Sequence, residues 1–284
     1  MAPSTIPAIR LRRFGLELRR LREAAGMSAS AAATALGTDR TNISNIEAGR
    51  YGISEERVRR LAAIYECNDP QLVDTLAAMT GGGRRGGWWD EYRGKIPHGL
   101  LDISEIEHYA VHLRTLQTTY LPGLFQTEDY ARAMFDLIVP KLPRLDVELR
   151  VAHRLARQSV ITGESPVRYT GIIHEAALRM QFGGPAVARD QLRHLLEEGE
   201  RDNVTLRVIP FANGGFPMAG DSILYAVAAD RHFDTVHMDS PAGPLFFDLP
   251  TQLENFRARL DLVEQVALTA EASADFIRTV AKET

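Results

Sequence analysis

The chain lacks several features that mark common classes of protein. It has a single cysteine, Cys67, which excludes an intramolecular disulfide and the paired Cys and His spacings of a zinc finger. No apolar run approaches the ~18 residues that a membrane-spanning helix needs. The segment from Met1 to Pro7 lacks the apolar core of a signal peptide. These absences predict a cytoplasmic protein in which Cys67 is a small core residue.

Motifs for covalent catalysis are also scarce. The G-x-S-x-G sequence of serine hydrolases is absent. The segment Ala219–Ser222 resembles the active-site serine of self-cleaving phage-type repressors, but that chemistry needs a later lysine to deprotonate the serine. Lys282, in the predicted last helix, is the only lysine beyond Ser222. The sequence therefore predicts that the protein is not an enzyme and carries no cofactor.

Four polar residues late in the chain are the best candidates for a metal site. Strand alternation puts His237 and Asp239 on one face, but there is no H-E-x-x-H motif and no second histidine at helical spacing. We interpret them as outward-facing residues of an edge strand and expect no metal. The four residues are His232, Asp234, His237 and Asp239.

Length and charge predict two domains of different character. A chain of 284 residues, 45% apolar and 25% charged, is typical of a globular protein with about two domains. Residues 1–60 contain 11 arginines and 6 acidic residues, a net of +5; because the chain carries −4, residues 61–284 carry −9. A basic N-terminal region suits DNA binding, since phosphate neutralisation supplies much of the affinity. A solvated helix surface is the alternative interpretation.

Residues 8–80 show the pattern of five short amphipathic helices. Apolar residues recur every three or four positions, and glycines follow the helix ends. A tight turn at Leu36-Gly37-Thr38 separates the second helix from the third, and Thr38 or Asp39 is the expected N-cap of the third. The predicted helices are Phe14–Ala25, a second capped by Ser28, a third ended by Gly49, a fourth begun at Ser54 and a fifth opened by Asp69-Pro70.

This arrangement resembles the helix-turn-helix domain of the phage-repressor-like (XRE) regulators. The family usually has a glutamine directly after the serine that begins the second helix, where it contacts a phosphate. Here that residue is Ala29, so the resemblance implies weaker anchoring to the DNA backbone. The matching segments are Leu21-Arg22, Gly26-Met27-Ser28, Ala35-Leu36-Gly37, Ile43-Ser44 and Ile46-Glu47-Ala48-Gly49-Arg50.

The resemblance also implies which residues contact DNA. Arginine can bond guanine through two hydrogen bonds, and asparagine can do the same to adenine. For Arg40, a solvated surface position is the alternative. The resemblance further implies that Glu47 pairs with Arg19 or Arg22. Base contacts are assigned to Arg40, Thr41, Ser44 and Asn45, and contacts to the DNA backbone to Ser28, Thr38, Asn42 and Arg50.

A glycine-rich segment separates the two predicted domains. Five of the seven residues in 81–87 are glycine, which predicts a flexible linker with a reach of roughly 15 Å. Trp88 and Trp89 follow directly, and we expect them to dock into the second domain. The predicted boundaries are 8–80 for the helix-turn-helix domain, 81–87 for the linker and 88–284 for the second domain.

The second domain alternates helical and strand patterns. Together they predict an α+β fold with a mainly antiparallel sheet. The pattern over residues 106–117 is mixed and assigns neither helix nor strand. The predicted helices are 127–139, 146–160, 185–201, 250–268 and 270–282, and the predicted strands are 167–173, 204–210, 222–227, 235–238 and 245–247.

Residues 88–280 resemble a domain of unknown function, DUF5753, that follows such helix-turn-helix domains in actinobacterial regulators. The resemblance implies a regulator, and it implies a small acidic protein partner of another uncharacterised family, DUF397. The segments that carry it are Gly87-Trp88-Trp89, 120–131 (YLPGLFQTEDYA), 174–179 (HEAALR) and Val208-Ile209-Pro210-Phe211 before Gly214-Gly215.

Together these features predict a dimeric, sequence-specific transcription regulator that binds double-stranded DNA. Its second domain is expected to receive a protein or small-molecule signal. One alternative is an antitoxin-like factor that holds the DUF397-like partner and regulates its own operon. A third hypothesis is a ligand sensor whose pocket is lined by Trp88, Trp89, Tyr120 and Phe125.

Overall fold

The protein is described by a computed structural model that covers residues 9–80, 87–240 and 243–284. Contacts divide the chain into two compact units. The first unit runs to Asp90 and includes Ala229–Phe233, and the second unit comprises Glu91–Ala228 and Asp234–Thr284. The predicted linker, 81–87, lies outside the described residues except for Gly87.

The first unit contains the helices that the sequence predicts between residues 9 and 80. A short 3-10 helix, Trp88–Tyr92, follows them, so the prediction of five helices was incomplete. The tryptophan pair begins that helix, and Trp89 is buried. The helices are α1 (Ile9–Ala24), α2 (Ala29–Leu36), α3 (Arg40–Glu47), α4 (Glu55–Ile64) and α5 (Pro70–Thr80).

Side-chain caps fix the ends of α2 and α3. The Ser28 hydroxyl accepts a hydrogen bond from the Ala31 N–H at 3.1 Å, as predicted. Asp39, and not Thr38, caps α3, because its carboxylate accepts from the Asn42 N–H at 2.7 Å. Gly37 ends α2 in the left-handed conformation, with φ of 73°, which a residue with a side chain rarely adopts. The turn between α2 and α3 is therefore set locally by sequence.

The core of the first unit holds α3 firmly against α1. Leu18 of α1 and Ile43 of α3 are almost fully buried in one apolar cluster. At Gly15 a Cβ atom would lie 2.4 Å from the Glu47 carbonyl oxygen, so the two helix backbones touch there. Only glycine permits this close approach.

The segment Ala229–Phe233 completes the first unit. The Arg13 guanidinium donates to the His232 carbonyl oxygen at 2.6 Å, and Arg13 is buried. Phe233 packs against the apolar core of this unit. Arg13 thereby joins α1 to the segment Ala229–Phe233.

The second unit is built on a six-stranded sheet with the strand order β3-β2-β1-β4-β5-β6. Apolar side chains cover both of its faces. Leu113 of β1 lies in one core cluster and Leu116 of the same strand lies in another, and both are completely buried. The strands are β1 (Ala110–Gln117), β2 (Arg168–His174), β3 (Val204–Ile209), β4 (Ile223–Ala228), β5 (Thr235–Met238) and β6 (Leu245–Phe247).

The sheet is mixed, so the prediction of a mainly antiparallel sheet was not exact. β1 pairs parallel with β2, and β2 pairs parallel with β3, whereas β1–β4, β4–β5 and β5–β6 are antiparallel. Helices connect β1 to β2 and β2 to β3, as parallel neighbours require. The prediction missed this arrangement because it left 106–117, which contains β1, unassigned.

The helices of the second unit follow the predicted order with shifted ends. The predicted helix 127–139 starts after Thr127, whose hydroxyl caps it, but ends at Phe135, and Leu137 is exposed. Within the described residues, no helix has the length and apolar character to cross a bilayer. The helices are α6 (His98–Tyr109), α7 (Glu128–Phe135), α8 (Arg144–Arg157), α9 (Ser159–Thr162), α10 (Glu175–Arg179), α11 (Pro185–Glu198), α12 (Pro250–Val266) and α13 (Ala270–Glu283).

A buried histidine makes the second unit sensitive to acid. Burial, and then repulsion from Arg157 and Arg154, lowers the pKa of His153 to about 3. An unfolded histidine titrates near ~6.5. Between these values only the unfolded state binds the proton, so stability is lost as pH falls below ~6.5, by up to about 1.4 kcal/mol per pH unit. His112, whose pKa burial lowers to about 4, acts in the same direction.

We therefore expect His153→Gln to have a shallower loss of stability with acid than the unmodified chain. Urea unfolding of the full chain at pH 7, 6 and 5 gives the free energy of unfolding of the second unit, and hence its slope against pH, for each of the two proteins. Other titrating groups are common to both proteins and cancel in the difference. Equal slopes would show that His153 does not remain neutral in the fold.

Candidate nucleic-acid interface

The third helix presents two chemically different faces. Ile43 and Ile46 face the core of the first unit and are almost fully buried. The opposite face carries four polar residues at helical spacings that place them side by side. These residues are Arg40, Thr41, Ser44 and Asn45, as the sequence predicts.

Three side chains of this polar face are exposed and unengaged. Arg40, Thr41 and Ser44 lie at the surface of the first unit. No hydrogen bond or ion pair joins their side chains to another residue in the described part of the chain. Their donors and acceptors are thus available to an external partner along one side of α3.

The two asparagines of α3 are partly committed within the unit. The Asn42 amide donates to the Thr38 hydroxyl at 2.7 Å, which ties the helix to the preceding turn. The Asn45 side-chain oxygen accepts from the Arg50 guanidinium at 3.4 Å, a long contact between partly exposed groups. The geometry therefore gives Asn42 and Thr38 a structural role in addition to the predicted contact with the DNA backbone.

The predicted backbone-contact residues flank the polar face. Ser28 caps α2 at one side, and Arg50 follows α3 at the other, and both are exposed. The first N–H groups of a helix have no partner within it and favour anions. The start of α2 and the Arg50 guanidinium are therefore suited to anionic groups on either side of α3.

A buried ion pair fixes the end of α3. The Arg22 guanidinium donates to both carboxylate oxygens of Glu47, at 2.6 and 2.9 Å, and also to the Met27 carbonyl oxygen at 2.7 Å. This selects Arg22 from the two predicted partners, because Arg19 pairs instead with Glu23. One arginine thus joins α1, the α1–α2 turn and α3.

Gly15 also belongs to this support, although its role was not predicted from the sequence. Its absent Cβ lets the α1 backbone meet the end of α3, next to the Arg22–Glu47 pair. A glycine in the middle of an otherwise amphipathic helix was the available signal, because it costs helix stability unless close packing requires it.

Two known families account for most of the chain. Residues 13–76, spanning from α1 into α5, match the family described as a helix-turn-helix domain. Residues 100–279 match the family described as a domain of unknown function, DUF5753. The chain belongs to the DUF5753 family. It carries an XRE-like helix-turn-helix domain in front of the family's domain, as the sequence segments predicted, and no curated protein or solved structure matches it.

The residues of the predicted sensor pocket have different environments in this DUF5753 protein. Trp88 and Trp89 belong to the first unit, where their rings meet edge to face at 5.9 Å. In the second unit Phe125 is completely buried against Tyr169, whereas Tyr120 is exposed and contacts Phe182. Phe125 therefore serves the core of its unit.

The residues considered for metal binding are engaged in other contacts. Asp234 is buried and accepts hydrogen bonds from the Tyr225 hydroxyl and from the Arg257 guanidinium. β5 lies between β4 and β6, so the interpretation of His237 as an outward residue of an edge strand was wrong; it is buried. In the described ranges, no group of three or more His, Cys, Asp or Glu residues is arranged to hold a metal.

Proposed function

We propose that this protein is a sequence-specific DNA-binding transcription regulator that reads DNA through α3. The observation that carries the proposal is the polar face of α3, on which Arg40, Thr41 and Ser44 are exposed and unengaged while buried contacts support the other side of the helix. In helix-turn-helix proteins the corresponding helix lies in the major groove, where side chains meet base edges. Arg40 is suited to guanine, and Asn45 to adenine.

The same proposal gives the residues around this polar face the role of positioning the protein on the DNA backbone. Phosphate contacts fix the register of a protein on DNA but carry no sequence information directly. The start of α2 at Ser28 and the exposed Arg50 take this role, together with Thr38 and Asn42 in the turn. The excess of basic residues in 1–60 adds a favourable field for an approaching duplex.

We further propose that the protein acts as a dimer and that the second unit receives a signal. One helix-turn-helix unit contacts few base pairs, and regulators of this type commonly bind two half-sites about 10 bp apart. The second unit, with its sheet covered on both faces, is large enough to supply a dimer surface and a receptor site. Analytical ultracentrifugation of the full chain, with and without operator, tests the dimer.

We propose that the function does not include catalysis. The Ser222 hydroxyl accepts from the Thr118 N–H at 3.2 Å and also contacts the Thr118 hydroxyl. The one lysine that follows it in sequence, Lys282, belongs to α13. Incubation of the full chain at pH 7 to 10 tests self-cleavage, and the appearance of two fragments would refute the proposal.

Two arginine substitutions separate base contacts from backbone contacts. We expect Arg40→Ala to lower affinity for a selected operator by about 1–3 kcal/mol and to relax the base preference at one position. We expect Arg50→Ala to weaken binding to all sequences alike and to reduce the slope of log affinity against log salt by about 1. Fluorescence anisotropy with operator and scrambled duplexes, at several salt concentrations, measures both effects.

Arg19→Ala is the matched control for these variants. It removes the same charge from an exposed position on α1, where Arg19 is already paired with Glu23. Affinity close to that of the unmodified protein is expected. Loss of specificity in Arg19→Ala but not in Arg40→Ala would contradict the proposal that α3 makes the base contacts.

A further inference from the structure

Two arginines one helical turn apart on α8 have contrasting partners in the second unit. Arg157 is buried and donates to both carboxylate oxygens of Glu107, at 2.9 and 2.5 Å. Arg154 donates to Gln126, which is neutral, and its guanidinium carbon lies 4.5 Å from the centre of the Phe135 ring. Arg157 is therefore neutralised by direct contact, and Arg154 is not.

Part of the Arg154 guanidinium has no hydrogen-bond partner. Its Nε atom is buried and is unpartnered among the residues that the structure describes. Burial, followed by repulsion from Arg157, lowers the pKa of Arg154 to about 9, so the side chain stays charged at neutral pH. A charged group in such a position normally has an anionic partner, because desolvation without one is costly.

The groups around Arg154 hold its guanidinium in place. Gln126 is buried, and its amide donates to the Leu121 carbonyl oxygen at 2.7 Å, which orients the side-chain oxygen toward Arg154. Gln158 donates to the Gln126 carbonyl oxygen at 2.8 Å and so fixes the same loop. The ring of Phe135 covers one face of the guanidinium, which leaves its edge for hydrogen bonds in the plane.

A second acidic side chain whose charge acts on Arg154, besides Glu107, is largely solvated. Asp239 is close enough to Arg154 for its charge to favour the protonated guanidinium. However, its side chain is 86% exposed, and it lies 3.5 Å from the His237 imidazole. Water screens a charge in that position, so Asp239 does not replace a bonded partner for Arg154.

From this contrast we infer that Arg154 is the anchor of a binding site for a small carboxylate anion. The edge formed by the Nε and the second terminal nitrogen of a guanidinium matches the two oxygens of a carboxylate. A single unpaired positive charge also fits one carboxylate better than a doubly charged phosphate. The inference does not require the first unit to bind DNA.

Anion-dependent stabilisation of the full chain tests the site. Sodium acetate is the carboxylate probe, because it carries a single charge, and sodium chloride and sodium phosphate at equal ionic strength are compared with it. We expect acetate, at a concentration well above its Kd, to raise the Tm of the second unit by roughly 2–4 °C beyond chloride. No difference from chloride, or a larger shift with phosphate than with acetate, would overturn the inference.

Three variants distinguish a site from a structural arginine. Arg154→Lys keeps the charge but not the planar edge, and we expect at least a tenfold weaker response to acetate. Gln126→Glu supplies an internal carboxylate but removes the hydrogen bond that the Gln126 amide donates to the Leu121 carbonyl oxygen. Because Arg154 is then neutralised within the chain, this variant should lose most of the response to acetate. Arg144→Met, at an exposed position on the same helix, should respond as the unmodified chain does. A full response in Gln126→Glu would contradict the site at Arg154.

Discussion

Replacing Glu47 with alanine is expected to destabilise the first unit by about 3–5 kcal/mol, because it leaves the Arg22 charge buried without its carboxylate partner. Side chains of both residues are only 9% exposed, so water cannot take the place of the lost partner. For a unit of this size the loss corresponds to a fall in Tm of roughly 12 °C or more. Differential scanning calorimetry of the full chain measures this transition.

Glu23→Ala is the control for Glu47→Ala. Glu23 also carries a carboxylate within 3.6 Å of the Arg22 guanidinium, but more than half of its side chain is exposed. Solvent screens such a pair, so almost no change in Tm is expected. Similar effects of the two substitutions would mean that the buried pair does not support α3. Loss of operator binding should accompany Glu47→Ala, since the same pair positions the polar face.

Replacing Glu107 with alanine is expected to destabilise the second unit by about 3–5 kcal/mol. Glu107 is 2% exposed and is the carboxylate that Arg157 contacts with two hydrogen bonds. Its removal leaves two neighbouring arginines of α8 in the interior with no directly bonded anion. For the larger second unit this predicts a fall in Tm of roughly 6 °C or more.

The double variant Glu107→Leu with Arg157→Met tests whether the loss of stability in Glu107→Ala comes from an unpaired buried charge. If the cost arises from an unpaired buried charge, removing both charges should restore much of the stability that Glu107→Ala loses. If the double variant is less stable than Glu107→Ala, the cost instead reflects packing or shape. Thermal unfolding of the three proteins under the same buffer conditions distinguishes these outcomes.

Local signals in the sequence were sufficient to predict the helices and strands that begin or end at a distinctive residue. The strands at 235–238 and 245–247 were predicted with the bounds that the structure shows. The N-caps at Ser28 and Thr127 and the glycine at position 37 also marked helix ends correctly. Each of these features depends on residues within one turn of the chain.

The mixed sheet depended on a strand without such a signal. α6 ends at Tyr109 and β1 begins at the next residue, Ala110. No proline or glycine marks this junction, so the change from a helical to an alternating pattern was not visible in the sequence. Because β1 was not predicted, its parallel pairing with β2 through the connecting helices could not be predicted either. The prediction therefore kept the α+β class but missed the parallel pairs.

Apart from the Arg22–Glu47 pair, which the family resemblance implied, pairings between distant residues were not predicted from the sequence. Glu107 and Arg157 are 50 positions apart, and nothing in their local patterns indicates that they meet. The same holds for the different partners of Arg154 and Arg157, which have equivalent positions on successive turns of α8. On α3, by contrast, the spacing of three between Ile43 and Ile46 is a local feature of the sequence, and it places the buried face opposite the polar face.

Selection of binding sites from a random library of DNA duplexes tests the central proposal most directly. The full chain should enrich one sequence motif at moderate salt, and Arg40→Ala should enrich a motif with relaxed preference at one position. Affinity for the enriched duplex should fall steeply as salt is raised. Failure to enrich any motif, or an identical motif from Arg40→Ala, would contradict the proposal that the polar face of α3 reads DNA.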